Sequence, residues 1–394
     1  MLNRALLKPE IAKFVYENRK NDLPSLILKG SPFTEVTVQE LAQQIQGVKI
    51  AEKKFPEFYQ NRQIIYPPKL NLEQTSSEIT AQYKASLVSG KKGIDLTGGL
   101  GIDSYYLSKN FEDFTYCELD THLSEIAAHN FEVLNAGNIR TLNQNSLEFL
   151  AVKNEIFDVI YADPARRDEH GGKVFKLEDC IPDIPSNLLL LFAHTNTILL
   201  KTSPMLDFRI GMQELQRVKE IHVVAVNNEV REVLWILDKN FTEVNPLLKA
   251  INFGRNRKEE LAGKLEETGE KAEISRPLNF LYEPNAAIMK SGLFDLVAGK
   301  TKTKKLHQNS HLFTSEENLE FPGRKFQITE IEHYKASDLK KKLKGKKANI
   351  TIRNFPESVE DIRKKFKIKE GGEDYIFFTT NLNEEKIVIF CKKI

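Results

Sequence analysis

Cysteine is scarce in this 394-residue chain, and long apolar runs are absent. The three cysteines, Cys117, Cys180 and Cys391, are far apart and have no C-x-x-C spacing, which argues against a disulfide framework or a zinc site. The longest apolar run, residues 188–193, is far too short to cross a bilayer, and the N-terminus lacks the apolar region of a signal peptide. We therefore expect a soluble cytoplasmic protein without a metal site or a membrane partner.

Net charge is also small, at +2, but it is unevenly distributed. Residues 321–394 contain 18 Lys and Arg against 11 Asp and Glu, a balance of +7, whereas the rest of the chain carries −5. A basic end on a mildly acidic body predicts a polyanionic partner that binds one end of the molecule. The length predicts two or three domains, and nothing in the composition sets the oligomeric state.

Hydrophobic periodicity divides the chain into regions of different structure. Strand and helix patterns alternate over residues 91–253, which predicts a mostly parallel sheet with helices on both faces. Within it, residues 229–237 are predicted to form a helix whose Trp235 packs in the core. An earlier helix is predicted to begin at a capping box on Thr37 and to stop at Gly47. The predicted domains are a helical region (1–80), the alternating domain (81–255), a linker with a small α+β module (256–324) and a basic α+β domain (325–394).

The chain is organised around a glycine-rich turn. Residues 93–103 give an apolar strand, then Gly98, Gly99 and Gly101, then a helical pattern. This arrangement lets backbone N–H groups and a helix N-terminus approach a ligand closely, because glycine has no Cβ atom in the way. Asp95 ends the strand, and a carboxylate that faces the ligand suits a cationic amine but repels a pyrophosphate, which argues against a nicotinamide dinucleotide. A tight turn without a ligand is the alternative.

An acidic residue follows at the end of the second predicted strand. Glu118 lies about twenty residues after the glycine turn, the spacing at which a carboxylate can hold the two hydroxyls of a ribose. The alternative is that this acid caps the next helix, but Asp120 is better placed to do so. The sequence thus predicts a ribose-binding carboxylate beside the glycine turn.

A second motif follows the fourth predicted strand, where the chain continues as Asp163-Pro164-Ala165-Arg166-Arg167. Proline cannot extend the strand, so it fixes a bend at the carboxyl edge of the sheet, where open α/β sheets place their chemistry. Asp163 and the Pro164 carbonyl can both accept hydrogen bonds from a planar amine and orient its lone pair toward an electrophile. Arg166 and Arg167 are candidates for binding a phosphate of the substrate, with a solvated loop as the alternative.

The glycine-rich stretch resembles motif I of class I S-adenosylmethionine (SAM) dependent methyltransferases, with Thr97 where the first glycine usually stands. Residues 163–166 are similar to the (Asn/Asp)-Pro-Pro-(Tyr/Phe) motif of members that methylate exocyclic or amide nitrogens, except that Arg166 replaces the ring that stacks on the target base. The resemblance implies a Rossmann-like domain with a mostly parallel seven-stranded sheet, SAM as the cofactor, and Asp163 and Pro164 as catalytic residues. It implies cofactor contacts from Asp95, Thr97, Gly98, Gly99, Gly101, Asp103, Glu118 and Leu119.

A further cofactor contact is expected in the loop after the third predicted strand, where the family commonly has an Asp that binds the adenine amine. Here Asn145 offers an amide carbonyl instead, and Ser146 lies beside it, although a simple turn is equally open. Residues 74–78, before the first strand, are second candidates for contacts with the methionine end of the cofactor. Lys201, at the end of the fifth predicted strand, is assigned no role.

Residues 325–394 have a β-α-β-α-β-β pattern of their own, with Lys340, Lys341 and Lys342 on the first helix. This pattern is similar to that of THUMP-like RNA-binding modules, and the resemblance implies RNA, either tRNA or rRNA, as the partner of these lysines. A solvated helix face is the alternative, but the +7 balance favours nucleic acid.

Together, the resemblances predict a methyltransferase that uses SAM to modify a nitrogen of an RNA base. Guanine N2 is favoured because residues 95–103 also look like those of ribosomal RNA guanine-N2 methyltransferases. One alternative is a methyltransferase of a protein amide or a small amine, against which the basic C-terminal domain argues. Another is an RNA-binding protein that retains SAM without catalysis, which Arg166 in place of an aromatic residue keeps open.

Overall fold

The computed structural model describes residues 2–166, 176–266 and 270–394. Among these residues the strands form sheets of nine, eight and two strands. The chain divides into two compact units, Met1–Lys219 with Leu234–Val244, and Glu220–Val233 with Asn245–Ile394. No helix in the described ranges is long and apolar enough to cross a membrane.

Helices come first in the chain, and strands and helices alternate afterwards. The helices of the first unit are α1 (Pro9–Asn18), α2 (Leu23–Lys29), α3 (Val38–Lys54), α4 (Pro56–Gln60), α5 (Lys69–Gln74), α6 (Glu78–Ala85), α7 (Ile102–Ser108), α8 (Thr121–Val133), α9 (Ser146–Val152), α10 (Leu188–His194) and α11 (Phe208–Glu214). The strands up to residue 238 are β1 (Gly90–Asp95), β2 (Phe111–Cys117), β3 (Ile139–Leu142), β4 (Val159–Ala162), β5 (Ala165–Arg166), β6 (Cys180–Ile181), β7 (Thr197–Thr202), β8 (Val218–Val226) and β9 (Glu229–Asp238). The elements that follow are β10 (Leu247–Phe253), β11 (Lys258–Lys264), β12 (Phe280–Pro284), α12 (Ala286–Ser291), α13 (Phe294–Thr301), β13 (Lys304–Lys305), β14 (Phe313–Ser315), β15 (Gly323–His333), α14 (Ala336–Leu343), β16 (Lys347–Arg353), α15 (Val359–Phe366), β17 (Lys369–Glu370), β18 (Asp374–Thr380) and β19 (Lys386–Lys393).

The N-terminal helices confirm one predicted boundary and correct another. α3 begins at the predicted capping box, where Thr37 Oγ1 accepts a hydrogen bond from Glu40 N at 3.2 Å and the Glu40 carboxylate accepts one from Thr37 N at 2.8 Å. The predicted stop at Gly47 is wrong, because α3 continues to Lys54. Glycine is needed inside this helix since a Cβ atom at residue 47 would lie 2.2 Å from Cβ of Tyr66.

The central strands of the first unit are parallel and follow the order β7-β4-β1-β2-β3. From β1 the chain continues to β2 on one side and later returns to β4 on the other. The carboxyl ends of β1 and β4 therefore flank the crevice at which doubly wound sheets bind ligands. The register places Asp95, the last residue of β1, opposite Tyr161 of β4. The predicted Rossmann-like arrangement is present.

Residues 229–237 belong to strand β9 and do not form the predicted helix. The apolar part of this strand is buried on both faces, so it lacks the alternation that separates a strand from a buried helix. The missed signal precedes it, because Asn227 and Asn228 both have positive φ, 51° and 65°, as in the two-residue turns of β-hairpins. Trp235 is buried as predicted, and its Nε1 donates to Thr202 Oγ1 at 3.0 Å.

The largest sheet has nine strands and not the predicted seven, because β9 takes the place of the predicted helix and β11 is added beside β10. β10 pairs in parallel with β8 and antiparallel with β11. Gly254 N donates to Arg257 O at 2.9 Å, which closes the turn between β10 and β11. Residues 254–257, which begin a charge-rich stretch expected to be a hairpin tip or a linker, are thus a hairpin tip that strand β11 follows.

The C-terminal part of the second unit has the predicted order of elements, with the short strand β17 added before β18. α14 spans the predicted residues 336–343, and β18 pairs antiparallel with β19 as predicted. α14 and α15 pack on one face of the sheet through the buried side chains Leu339, Leu343, Ile362 and Phe366. The helices bury their apolar faces in this way, and most of their lysines are left exposed.

Candidate active site

Asp95 ends β1 and organises the glycine turn. Its carboxylate is buried and accepts four hydrogen bonds, at Oδ1 from Thr97 N (2.8 Å), Thr97 Oγ1 (3.0 Å) and Gly98 N (3.1 Å), and at Oδ2 from Ser104 Oγ (2.5 Å). Burial raises the pKa of this carboxyl to about 6, although the hydrogen bonds from Ser104 and Thr97 oppose the shift. The carboxylate thus faces its own loop, and its part in a ligand site is to fix the backbone of the turn.

The glycine turn passes too close to the second strand for a side chain. A Cβ atom at Gly98, where φ is +40°, would lie 2.6 Å from the carbonyl oxygen of Cys117. Gly99 has φ of +65°, and a Cβ atom there would meet no heavy atom within 4 Å, so this residue borders open space. Gly101 is the N-cap of α7. Close packing against β2 therefore explains Gly98, and the ligand contacts predicted for the three glycines stay predictions.

Glu118 joins the glycine turn to the end of β2. Its Oε2 accepts a hydrogen bond from Gly99 N at 2.7 Å, and its Oε1 accepts one from Asp120 N at 2.7 Å. Burial raises the pKa of Glu118, and these backbone hydrogen bonds act against the shift. Capping of α8 belongs to Asp120, which accepts from Leu123 N at 2.8 Å. Leu119 lies beside this carboxylate with 68% of its surface exposed.

A cavity of about 500 Å³ lies at the carboxyl edge of the central strands. Thr97 links its two sides, because Thr97 Oγ1 accepts a hydrogen bond from Asp163 N at 2.8 Å. The loop that follows β1 and the loop that follows β4 therefore border the same space. The residues that line the cavity are Leu96, Thr97, Cys117, Glu118, Leu119, Gln144, Asn145, Ser146, Leu147, Asp163, Ala165, Ile181, Pro182 and Asp183.

Asn145 and Ser146 line this cavity at the start of α9. The side-chain oxygen of Asn145 accepts from Leu147 N at 3.0 Å and from Glu148 N at 3.3 Å, so it caps the helix. That oxygen is the atom expected to bind an adenine amine, and it already accepts the two hydrogen bonds that cap the helix. Ser146 contributes to the cavity lining although it is largely buried.

Asp163 forms an ion pair with Lys201. Lys201 lies in β7, the neighbour of β4, and its side chain is 12% exposed, against 36% for that of Asp163. Lys201 has no predicted role, and the contact became apparent only in the structure. The signal that marks it in the sequence is a lone charged residue in strand β7, which lies next in the sheet to the strand that ends before Asp163.

The segment after Asp163 leaves the main sheet. Pro164 is half-buried, and β5 pairs antiparallel with β6, which brings Ile181 to the edge of the cavity with 55% of its surface exposed. The backbone of Arg166 belongs to β5, whereas Arg167 lies outside the described residues. The substrate contacts predicted for these two arginines stay predictions.

Asp103, a predicted cofactor residue, lies in a network of buried polar side chains. Its Oδ2 accepts from Ser76 Oγ and from Tyr161 OH, each at 2.7 Å, and its Oδ1 lies 3.2 Å from Nζ of Lys84, which is fully buried. Burial alone would raise the pKa of Asp103, but the ammonium groups of Lys84 and Lys201 hold it below its usual value. Ser76 falls in the predicted stretch 74–78, whereas Lys84 was not among the predicted residues. The network ties α6 to α7 and β4.

The three lysines predicted to contact RNA have different surroundings. Lys340 and Lys341 are exposed on α14. Lys342 is half-buried and forms ion pairs with Glu330 and Glu332 of β15. The charge of Lys342 is therefore offset by two carboxylates, whereas the charged groups of Lys340 and Lys341 face the solvent.

Two stretches of the second unit match known family models. Residues 280–322 match a ferredoxin-like domain, and residues 323–393 match a THUMP domain-like family. Among the curated proteins, the ribosomal RNA small subunit methyltransferase D of Escherichia coli K12 is 34% identical over 71 residues. This match covers 18% of the chain and spans about a third, 35%, of the relative's length.

A crystal structure of a proposed methyltransferase from Porphyromonas gingivalis W83 is similar over the whole molecule. It is 31% identical, with a TM-score of 0.86, and the match covers 99% of this chain and 98% of the other. Likeness of this extent includes the glycine turn, the loop after β4 and the C-terminal domain alike. The chain belongs to the family of the Porphyromonas gingivalis protein, and it is a methyltransferase with a Rossmann-like domain and a C-terminal THUMP-like domain.

Proposed function

We propose that this protein transfers a methyl group from SAM to a nitrogen of an RNA base, with an exocyclic amine such as guanine N2 as the acceptor. The observation that carries the proposal is the hydrogen bond from Asp163 N to Thr97 Oγ1, which brings the loops after β1 and β4 to one cavity. Methyl transfer requires its donor and acceptor to be held in line at a short distance, and one shared cavity can do this.

The residues around the cavity fit SAM. Glu118 is fixed by Gly99 N and Asp120 N, and its carboxylate retains lone pairs for two ribose hydroxyls. Leu119 and Ile181 are apolar and more than half exposed at the cavity, which suits the faces of a purine ring. SAM, when bound, supplies the activated methyl group.

The chain contributes the orientation of the acceptor. Lys201 binds Asp163 Oδ2 and so fixes the carboxylate, and we assign Oδ1 and the Pro164 carbonyl as acceptors for the two N–H groups of the amine. These two hydrogen bonds would turn the nitrogen lone pair toward the methyl group. Orientation of this kind accounts for most of what a protein must add to the reaction, because the leaving group is already activated.

The Lys201 ion pair also bears on the kind of nitrogen that is methylated. An alkylamine is protonated near pH 7, so the neighbouring ammonium group would repel it and its nitrogen would have no lone pair. The exocyclic amine of a base is neutral and only donates hydrogen bonds to a carboxylate. The site therefore favours a base or an amide nitrogen over a small aliphatic amine.

The assignment to RNA is supported by the second unit and by the relatives. Residues 323–393 match a THUMP domain-like family, and residues 321–394 carry +7. A curated relative methylates ribosomal RNA according to its name. A protein carboxamide is the second candidate, since its NH₂ group would make the same hydrogen bonds with Asp163 and Pro164.

The test is transfer of labelled methyl from SAM to total RNA and to total protein, both from a strain that lacks the gene. Label in RNA is expected, and label in protein alone would favour the carboxamide. Asp163→Ala removes the side-chain acceptor and should lower the rate about 100-fold, while SAM binding stays unchanged. Asp179→Ala, which removes an exposed acid outside the cavity lining, is the matched control. Incorporation unaffected by Asp163→Ala would refute the assigned role.

A further inference from the structure

A second groove, of about 490 Å³, lies within the second unit. It is bordered by the Asn227–Asn228 turn, the hairpin tip 254–257, the start of α12 and the first residues of β15. None of these residues is among the predicted site residues. The residues that line the groove are Asn228, Asn252, Gly254, Arg255, Asn256, Arg257, Glu259, Asn285, Gly323, Arg324 and Lys393.

Cations outnumber anions in the lining of this groove. Arg255 and Lys393 are exposed, and neither forms an ion pair with a carboxylate of the described residues. Arg257 and Arg324 also line it, each paired with a glutamate. Four positive side chains thus face one acidic side chain, that of Glu259.

Glu259 is engaged by the protein itself. Its Oε2 accepts hydrogen bonds from Asn252 Nδ2 at 3.0 Å and from Asn285 Nδ2 at 2.8 Å, and its Oε1 accepts one from Arg257 at 2.6 Å. Three donors hold this carboxylate, so it forms part of the wall of the groove and its charge is offset locally. The charge left for a ligand is that of the exposed cations.

Hydrogen bonds from backbone N–H groups hold two of the segments that border the groove in place. Gly254 N donates to Arg257 O at 2.9 Å, which presents Arg255 and Asn256 at the tip of a closed turn. Asn228 Oδ1 accepts from Ala286 N at 2.8 Å. Donors on a fixed frame bind an anion with little loss of conformational entropy.

We propose that this groove binds the phosphodiester backbone of the RNA strand, an inference that rests on the proposed function. The guanidinium of Arg255 can bind a phosphate with two parallel hydrogen bonds, and Lys393 adds a second positive charge. Asparagine amides at the wall suit the sugar and phosphate oxygens of a strand. Contacts of this kind position a nucleic acid and do not read its sequence.

The experiment measures binding of the full chain to a fluorescently labelled single-stranded RNA oligonucleotide by anisotropy, over a series of salt concentrations. The variant is Arg255→Ala with Lys393→Ala, and the matched control is Lys271→Ala with Arg276→Ala, which removes two exposed cations outside the groove. We expect the variant to bind RNA severalfold more weakly. The slope of log K against log salt should become shallower by about 0.7 for each cation removed, whereas the control keeps the slope of the original protein.

Two outcomes would overturn the inference. One is a salt slope that is the same in the variant and in the control. The other is competition by inorganic phosphate or a mononucleotide at submillimolar concentration, which would mark a site for a free phosphate compound and not for a strand. SAM affinity and melting temperature should be unchanged in both variants, which verifies that they are folded.

Methyl transfer to total RNA, measured in parallel, separates this inference from the proposed function. If the enzyme is active and its RNA binding does not depend on Arg255 and Lys393, the proposed function is supported and the proposal that the groove binds RNA is refuted. If RNA binding depends on these residues but the protein transfers no methyl group to RNA, the proposal that the groove binds RNA is supported and the proposed function is refuted.

Discussion

Asp95 and Asp163 are both aspartates at the carboxyl ends of neighbouring parallel strands, Asp95 as the last residue of β1 and Asp163 directly after β4, yet their surroundings differ. Asp95 is 1% exposed and accepts four hydrogen bonds from its own loop and from α7. Asp163 has a side chain that is 36% exposed, borders the cavity and is paired with Lys201. A motif identifies both as site residues, but burial and partners make the first an organiser of the turn and leave the second accessible to a substrate.

The largest effect is expected when the turn loses its organising carboxylate. Asp95→Ala leaves four donors without their acceptor, one of them the buried Ser104 Oγ, which should lower the free energy of unfolding by about 4 kcal/mol and abolish SAM binding. Chemical denaturation and calorimetric titration with SAM measure the two effects. Asp163→Asn serves as the comparison and should stay within about 1 kcal/mol of the original protein. Equal losses of stability in both variants would contradict the conclusion that Asp95, and not Asp163, organises the turn.

The dependence of stability on pH is a second test of the role of the Asp95 carboxylate. The pKa of Asp95 in the folded protein is about 6, above its ordinary value of 3.8, so between these values the folded state binds more protons than the unfolded state. Its contribution to stability is therefore full below about pH 3.8 and is lost as the pH rises through about 6. From pH 4 to pH 7 the free energy of unfolding should fall by about 2.4 kcal/mol more in the original protein than in Asp95→Asn. Parallel profiles for the two proteins would contradict the raised pKa.

The sequence predicted most elements because their patterns are local. The bounds of α14 agree with the predicted residues 336–343, and the capping box at Thr37 begins α3. The errors fall where a distant partner decides the structure. Residue 47 must be glycine inside the helix because Tyr66 packs against it, and residues 229–237 form a strand because they pair between β8 and β7 in the sheet.

In the candidate site, too, local patterns predict some residues, whereas contacts between distant residues decide others. The glycine turn, Glu118 and Asp163 are candidates that motifs identify, since each motif is a short stretch with a defined spacing. Lys84 and Lys201 were missed because their partners, Asp103 and Asp163, are 19 and 38 residues away in the chain. An ion pair of this kind leaves no local pattern, and only the order of strands and helices brings its members together.

Lys201 provides the next test of the comparison between Asp95 and Asp163, since within the described residues no cation pairs with Asp95. We expect Lys201→Met to lower kcat about 30-fold, or about 2 kcal/mol, because the Asp163 carboxylate loses the group that orients it. SAM affinity should be unchanged, and Lys201→Arg should restore part of the rate by keeping the charge. Single-turnover methyl transfer measures the effect. A lower melting temperature with an unchanged kcat would show that the lysine only stabilises the fold.

The smallest expected effect concerns the third carboxylate of the site, Glu118, which shares features of the other two. Like Asp95 it accepts backbone hydrogen bonds, and like Asp163 it borders the cavity. Glu118→Gln keeps the shape but removes the charge that would hold two ribose hydroxyls, so the KM for SAM should rise about tenfold while kcat stays nearly constant.

Asp120→Asn is the matched control, because it removes the same charge two residues away at the cap of α8, where no ribose contact is proposed. This control should leave the KM for SAM unchanged. If both variants raise the KM equally, the effect comes from the general loss of negative charge near the cavity. If Glu118→Gln lowers the melting temperature and leaves the KM as it was, Glu118 belongs with Asp95 as an organiser of the turn, and the ribose must be held by other groups at the cavity.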